Sequence, residues 1–356
     1  MARAIAFYLP QFYPTIENDT WWYKGFTEWT NVGDAKPLFK GHYQPRVPKD
    51  LSYYDLRVPE VREQQAELAR QAGIEGFCYW HYWFNGRRLL DRVFSEVVKS
   101  GKPDYPFCLC WANHSWFKKK WQKGVQDELL LEQTYPGKED YTAQFNAMLP
   151  AFKDSRYIKV DGLLLYGIFN PSGVPDMGEM VQVWNDLAIK NGLKGFYFFA
   201  FAQGMGNLDV PHKEAYDTVV YDPMFDTVFI NNQRLCEKVK AKICTILNKP
   251  KPLLYSKYSQ IAMEMFNDNP DTTPCIVPNF DHSPRSRARS VILHESTPEL
   301  WGELCKETSD MVNSRQGNNL LFIKSWNEWG EGNYLEPDLR FGTEYIEETA
   351  KALKNK

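Results

Sequence analysis

Glu328 and Glu331 stand three residues apart in the run Trp326-Asn327-Glu328-Trp329-Gly330-Glu331-Gly332. Two carboxylates framed by indoles and glycines are poor material for a helix or a strand. They suit a sharp loop, where the backbone needs freedom. The apolar run from Leu320 to Ile323 just before them is short enough for a buried strand. A carboxylate buried beside aromatic walls has a raised pKa, and a carboxylic acid that keeps its proton near neutrality can act as a general acid. The competing reading makes the two glutamates solvated loop charges, or partners of nearby Lys and Arg.

Such a loop needs a scaffold, and the chain supplies a repeating one. Apolar runs at 4–9, 76–80, 107–111, 162–168, 195–202, 218–221, 275–278 and 320–324 read as eight strands. Helical patterns separate most of them, at 59–72, 89–99, near 139–153, 177–190, 233–247, 258–267, 298 to about 314, and about 344–354. Pro150 argues for an early end or a kink in the third, and residues 203–216 carry no clear helix. Near-continuous apolar strands are expected where both faces of a parallel sheet are buried. Eight such units predict an α/β protein built as a (β/α)8 TIM barrel, one domain over residues 1–356 with long βα loops. The longest loop follows the first strand and carries Trp21, Trp22, Trp29 and Asn31. A doubly wound open sheet would need a glycine-rich phosphate turn after a strand, and no G-x-G-x-x-G or Walker pattern occurs.

In this barrel type the chemistry sits at the C-terminal ends of the strands. Read in order, those ends present Tyr8 and Gln11, then Trp80, His81 and Trp83, then Trp111, Asn113, His114 and Trp116. The seventh adds Asn279, Asp281 and Arg285, and the eighth Trp326, Asn327, Trp329 and Tyr334 beside the two glutamates. With Trp29 these form the expected substrate-binding set around Glu328 and Glu331 as catalytic residues. Polar and aromatic side chains gathered at one end fit a polyhydroxylated ligand, although each residue alone could equally satisfy the core. Two basic runs fall on the same face, Lys118, Lys119, Lys120 and Lys123, and Arg285, Arg287 and Arg289. They are either solvated surface or contacts to an anionic sugar or a diphosphate.

Composition narrows the function classes. A net charge of −3 over 356 residues gives no electrostatic case for nucleic-acid binding. Aromatics make up 15% of the chain, and their faces pack well on the C–H groups of sugars, though an aromatic core would account for them too. Seven cysteines lie without C-x-x-C spacing and read as core residues, so neither a disulfide framework nor a metal site is expected. No organic cofactor is implied. The first residues lack the apolar length of a signal peptide and no run spans a membrane, which gives a cytoplasmic expectation. Oligomeric state is not readable.

Several runs together carry a resemblance. They are Tyr8-Leu9-Pro10-Gln11-Phe12-Tyr13-Pro14; Tyr79-Trp80-His81-Tyr82-Trp83-Phe84 followed by Leu89-Leu90; and Cys110-Trp111-Ala112-Asn113-His114-Ser115-Trp116. Pro278-Asn279-Phe280-Asp281-His282-Ser283-Pro284-Arg285 and the stretch from Ser325 to Asp338 complete the set. The chain resembles, over nearly its whole length, the WbsX-type proteins. These are bacterial proteins often labelled glycosyltransferases, found with polysaccharide genes, and relatives of glycoside hydrolase family 99, the endo-α-mannosidases. The likeness to family 99 is fainter and rests on the barrel and the two glutamates after the eighth strand. It implies Glu331 as acid/base and Glu328 as the group that deprotonates the sugar's own 2-hydroxyl. The configuration would then be retained through a 1,2-anhydro sugar, with no enzyme nucleophile. An ordinary retaining pair would lie about 5–5.5 Å apart and an inverting pair about 6.5–9.5 Å, which sequence spacing does not decide. WbsX-type proteins commonly read ANENW where this chain has Ala112-Asn113-His114-Ser115-Trp116, a change of charge and reach. The favoured expectation is a hydrolase of an α-linked, mannose-configured oligo- or polysaccharide. A glycosyltransferase of surface polysaccharide and a non-catalytic glycan-binding protein are the alternatives.

Overall fold

The eight apolar runs form the staves of a closed barrel in the computed structural model, which describes residues 1–119 and 126–354. They are β1 (Arg3–Tyr8), β2 (Gly76–Phe84), β3 (Phe107–Trp111), β4 (Leu163–Ile168), β5 (Phe196–Gln203), β6 (Thr218–Asp222), β7 (Thr273–Ile276) and β8 (Leu320–Ile323). Each pairs in parallel with the next, and β1 pairs with both β8 and β2, so the ring closes. Ile5 lies opposite Phe322 on one side and Gly76 on the other. The rings of Phe7, Phe199, Phe201 and Phe322 meet inside the barrel at centroid distances of 4.9 to 5.4 Å. They fill the cylinder beneath its C-terminal mouth, as a packed barrel requires.

Outside the ring run α1 (Pro59–Gln71), α2 (Arg92–Ser100), α3 (Lys138–Phe152), α4 (Met177–Lys190), α5 (Met224–Asn232), α6 (Leu235–Ile246), α7 (Tyr255–Asp268), α8 (Pro298–Ser314) and α9 (Glu344–Leu353). Between β5 and β6 lie two 3-10 turns, Met205–Asn207 and Lys213–Ala215, where no helix was expected. Pro150 sits in the last turn of α3 without ending it, because so close to the end it removes a single hydrogen bond. Sequence reading passes over α5 and two short helices in the Trp-rich loop, Ile16–Trp21 and Glu28–Asp34, which are too brief to show a period. It also stops β2 too early. His81, Tyr82 and Trp83 continue the strand into a hairpin with Arg87–Leu89.

Candidate active site

The loop after β8 is a tight hairpin rather than an irregular excursion. Asn327–Glu328 pairs antiparallel with Asn333–Tyr334, and Trp329–Glu331 makes a 3-10 turn at the tip. Both glycines of the turn answer to close approach. A Cβ on Gly330 would meet the Glu28 carboxylate at 1.8 Å, and one on Gly332, at φ +52°, would meet Asp281 at 2.8 Å. The turn therefore holds Glu331 against the Trp-rich loop on one side and the β7 loop on the other.

Glu328 and Glu331 look into a cleft of about 960 Å³ at the C-terminal mouth of the barrel. Trp21, Trp22, Trp80, Trp116, Phe169 and Phe280 contribute its aromatic walls, and Gln11, Glu28, His114, His282, Arg285 and Lys324 its polar ones. Trp80 stacks flat on Phe7 at 4.5 Å, and its Nε1 donates to Oε1 of Glu328 at 2.9 Å. Arg285 donates from Nη1 to Glu331 at 2.6 Å and grips Glu28 through Nε at 3.1 Å and Nη2 at 3.0 Å. Lys324, the residue after β8, brings Nζ to 3.9 Å from Glu331 and 4.0 Å from Asp222.

These neighbours make two identical side chains unlike. Burial pushes the Glu328 carboxyl well above the ordinary carboxylate range, and the charge of Glu331 pushes it the same way. Burial would raise Glu331 as well, but Arg285 and Lys324 outweigh it and hold that carboxyl well below the range. A side-chain hydrogen bond between the two carboxyls adds to the lowering of Glu331. Glu328 is thus the member of the pair that holds a proton more readily, and the two titrate as a unit. Burial lowers the Lys324 pKa, but Glu331, Glu328 and Asp222 overcome this and raise it, so the ammonium stays charged.

Of the expected binding residues, the structure brings Gln11, Trp80, His114, Trp116 and Arg285 to the cleft wall with the two glutamates. The others do not line this cleft and are engaged within the scaffold. Three asparagines clasp backbone. Asn327 accepts from the Leu9 amide at 2.8 Å and donates to the Leu9 carbonyl at 3.1 Å. Asn279 does the same to Tyr334 at 3.0 and 3.1 Å, and Asn113 to Asn170 at 2.7 and 2.7 Å. Asp281 accepts from Gln44 at 2.7 Å and pairs with His42 at 2.8 Å, and these bonds with Arg46 hold it ionised against burial.

The rest are aromatic side chains and one histidine. Tyr8 donates to Gln65 at 2.7 Å, Trp83 to Asp140 at 3.0 Å, and Trp111 to the Trp83 carbonyl at 3.1 Å. Trp29 donates to the Tyr54 carbonyl at 2.7 Å, while Trp329 stacks on Tyr334 at 3.7 Å and donates to Glu336. Tyr334 itself donates to Asp338 at 2.7 Å, and Trp326 packs on Phe77. His81 is buried, which depresses it to about 3 and keeps the ring neutral. The basic runs divide. Lys119 and Arg289 reach the cleft, whereas Arg287 points outward to Asp34 and Lys118 donates to the Trp21 carbonyl. Lys120 and Lys123 lie outside the described residues.

Sequence reasoning missed Glu28, Lys324 and Asp222. Lys324 closes an apolar run and so carried a signal, since a charge at the buried end of a barrel strand is expensive without a purpose. Glu28 carried none. Among the described residues, no group of three or more His, Cys, Asp or Glu side chains is arranged to hold a metal ion.

The family model described as Glycosyltransferase WbsX matches residues 4–349. The chain belongs to the WbsX family. Similar to it is an uncharacterized protein WxcX from Xanthomonas campestris pv. campestris strain B100, 33% identical over 359 residues that cover 99% of this chain and 50% of that protein. A WxcX from strain ATCC 33913 matches equally. This WbsX-family chain therefore spans about half the length of the curated relatives it matches. Among solved structures, the GH99 endo-alpha-mannosidase from Bacteroides thetaiotaomicron superposes with a TM-score of 0.58 at 12% identity, covering 99% of this chain and 96% of that one. A glycoside hydrolase-like protein gives 0.59 at 12% identity, covering 100% and 94%. The WbsX barrel is thus of the same fold as the family 99 hydrolases. No helix among its described residues is long and apolar enough to cross a membrane.

Proposed function

We propose that this WbsX barrel hydrolyses an α-linked, mannose-configured glycan with retention, using Glu328 and Glu331. The observation that carries the proposal is a pair of unlike carboxyls, Glu328 raised by burial and Glu331 lowered by Arg285 and Lys324, facing an aromatic cleft at the barrel mouth. Aromatic walls bind the C–H faces of pyranose rings, and a shared proton serves both ends of the reaction. The 2-hydroxyl gives its proton to Glu328 as its oxygen closes on the anomeric carbon. Glu328 passes its own proton along the hydrogen bond to Glu331, which delivers it to the departing oxygen. Water then opens the anhydro ring, Glu331 takes the water's proton, and Glu328 returns a proton to the 2-oxygen. The pair ends with the single proton it began with. Arg285 opposes protonation of Glu331, so the bound glycan must loosen that contact.

The test is a panel of α-glycans followed by mass at the reducing end, with Glu328→Gln and Glu331→Gln. Each variant is expected to lose at least about 10²-fold in kcat, the lower bound for a positioned acid or base. With an α-mannosyl fluoride, whose leaving group needs no proton, Glu331→Gln should recover and Glu328→Gln should not. Near-normal hydrolysis by either variant on unactivated glycan removes the assignment. Glycosyl transfer is the second reading, favoured by Arg285, Arg289 and Lys119 on the cleft wall, which suit a diphosphate leaving group. Transfer from a nucleotide sugar, without hydrolysis of any glycan, would decide for it.

A further inference from the structure

Helix α6 is turned inside out. Surface helices pack their apolar stripe on the core. In α6 the stripe is Leu235, Val239, Ile243 and Ile246, spaced by four, four and three residues along one face. These side chains are 80%, 53%, 49% and 74% exposed, and no residue of the helix is buried. The half-buried face is instead Glu237, Ala241 and Cys244, where Glu237 is tied to Lys240 at 2.7 Å and Lys251 at 2.8 Å. Lysines border the outward stripe on both sides, Lys238 and Lys242 along one edge and Lys240 along the other, all exposed. The helix's one acidic residue, Glu237, lies on the opposite face. The preceding helix, α5, carries two more exposed aromatics four residues apart, Phe229 at 64% and Phe225 at 39%, and Phe225 lines the cleft.

We propose that α6 is an interfacial anchor that lies on a bilayer containing anionic phospholipid, with its apolar stripe in the acyl boundary and its lysines at the headgroups. An outward apolar stripe bordered by lysine is the pattern of a helix lying in a membrane interface. Lys238 and Lys242 select the occupant, Lys240 being tied to Glu237. A second copy would gain nothing from that cationic edge, whereas an anionic lipid surface complements it. Since α5, which brings Phe225 to the cleft, directly precedes α6, the anchor would hold the mouth close to the bilayer, favouring a glycan carried at that surface.

The test is co-sedimentation of the whole chain with phosphatidylcholine vesicles, with and without phosphatidylserine. The wild type should pellet with the phosphatidylserine vesicles and be released by added salt. Lys238→Glu with Lys242→Glu should weaken binding at least about tenfold, since each lysine near an anionic surface is worth about fivefold. Leu235→Ser with Ile246→Ser should abolish it, with melting temperature and cleft chemistry unchanged because both side chains are exposed. Failure of the wild type to pellet, or equal pelleting of both double variants, overturns the proposal. So does a concentration-dependent dimer that Leu235→Ser with Ile246→Ser dissolves while vesicles are ignored, which would make the stripe a contact between copies. None of these readings depends on which reaction the cleft performs.

Discussion

Arg285 is the residue that makes Glu331 differ from Glu328, so its removal should be visible in the titration of the pair. One bond of 2.6 Å joins its Nη1 to Glu331. A hydrogen bond between charged groups contributes about 1.5–3 kcal/mol to the ionised form. The side chain is 26% exposed, which places the loss at the lower end of that range. One pKa unit corresponds to about 1.4 kcal/mol, so Arg285→Ala should raise the Glu331 midpoint by about one unit. Lys324 at 3.9 Å limits the shift by remaining in place. Glutamate labelled with ¹³C at the side-chain carboxyl reports this directly, the Glu331 resonance being the one that Glu331→Gln removes. Arg285→Lys keeps the charge without the fork and should fall between. Once a substrate is known, the acidic limb of kcat/KM should move up with the same midpoint, because a second proton on the pair stops the relay. A Glu331 midpoint identical in the wild type and Arg285→Ala would refute the reasoning, since Arg285 could not then be what holds the charge.

Trp80→Phe removes the donor to Glu328 while a ring can still stack on Phe7, so the Glu328 pKa should rise and the alkaline limb of kcat/KM should move up by about one unit; a limb that stays put would mean the bond is idle. Glu336 is pushed up to about 7 by burial, so between its unfolded pKa of about 4.3 and that value the folded chain binds the extra proton. Its stabilisation is full below the unfolded value and is lost as pH rises through the folded one, by about 4 kcal/mol at most. The wild-type melting temperature should therefore fall relative to that of Glu336→Gln from about pH 5 to about pH 8. Gly330→Ala places a methyl group 1.8 Å from the Glu28 carboxylate and should lower stability by about 1–3 kcal/mol in urea unfolding while uncoupling Glu28 from Arg285.

The barrel was legible because its strands are buried on both faces and so read as unbroken apolar runs, from Ala4 to Leu9 and again from Leu320 to Ile323. The glutamate pair was legible because glycine and tryptophan around a carboxylate mark a built turn. Only part of the expected binding set lines the cleft, and the reason is physical. Polar residues at strand ends need not face a ligand, because a (β/α)8 barrel must also brace its long loops. Asn113, Asn279 and Asn327 each imitate a strand edge, offering one donor and one acceptor to a backbone that has left the sheet. Asp281 does comparable work for the segment carrying His42 and Gln44. From sequence, such a clasp and a sugar ligand look alike. Glu28 was illegible for the opposite reason, since it reaches the site by a fold of the Trp-rich loop that has no periodic signal.

The asymmetry between the two carboxyls is a property of the closed barrel and not of the eighth-strand loop. Trp80 comes from β2, Arg285 from the loop after β7, and Lys324 from the end of β8. Taken alone, the hairpin would present two ordinary glutamates in water, each with an unshifted carboxyl. Only when β1 closes the ring between β8 and β2 does Trp80 come over Glu328 and bury it. Only when the Trp-rich loop brings Glu28 beneath Gly330 is Arg285 held from two sides and aimed at Glu331. Two of these contacts, Trp80 with Glu328 and Glu28 with Arg285, join residues more than 200 positions apart in the chain. A change that loosens the β1–β8 seam should therefore erase the pKa difference before it unfolds the protein.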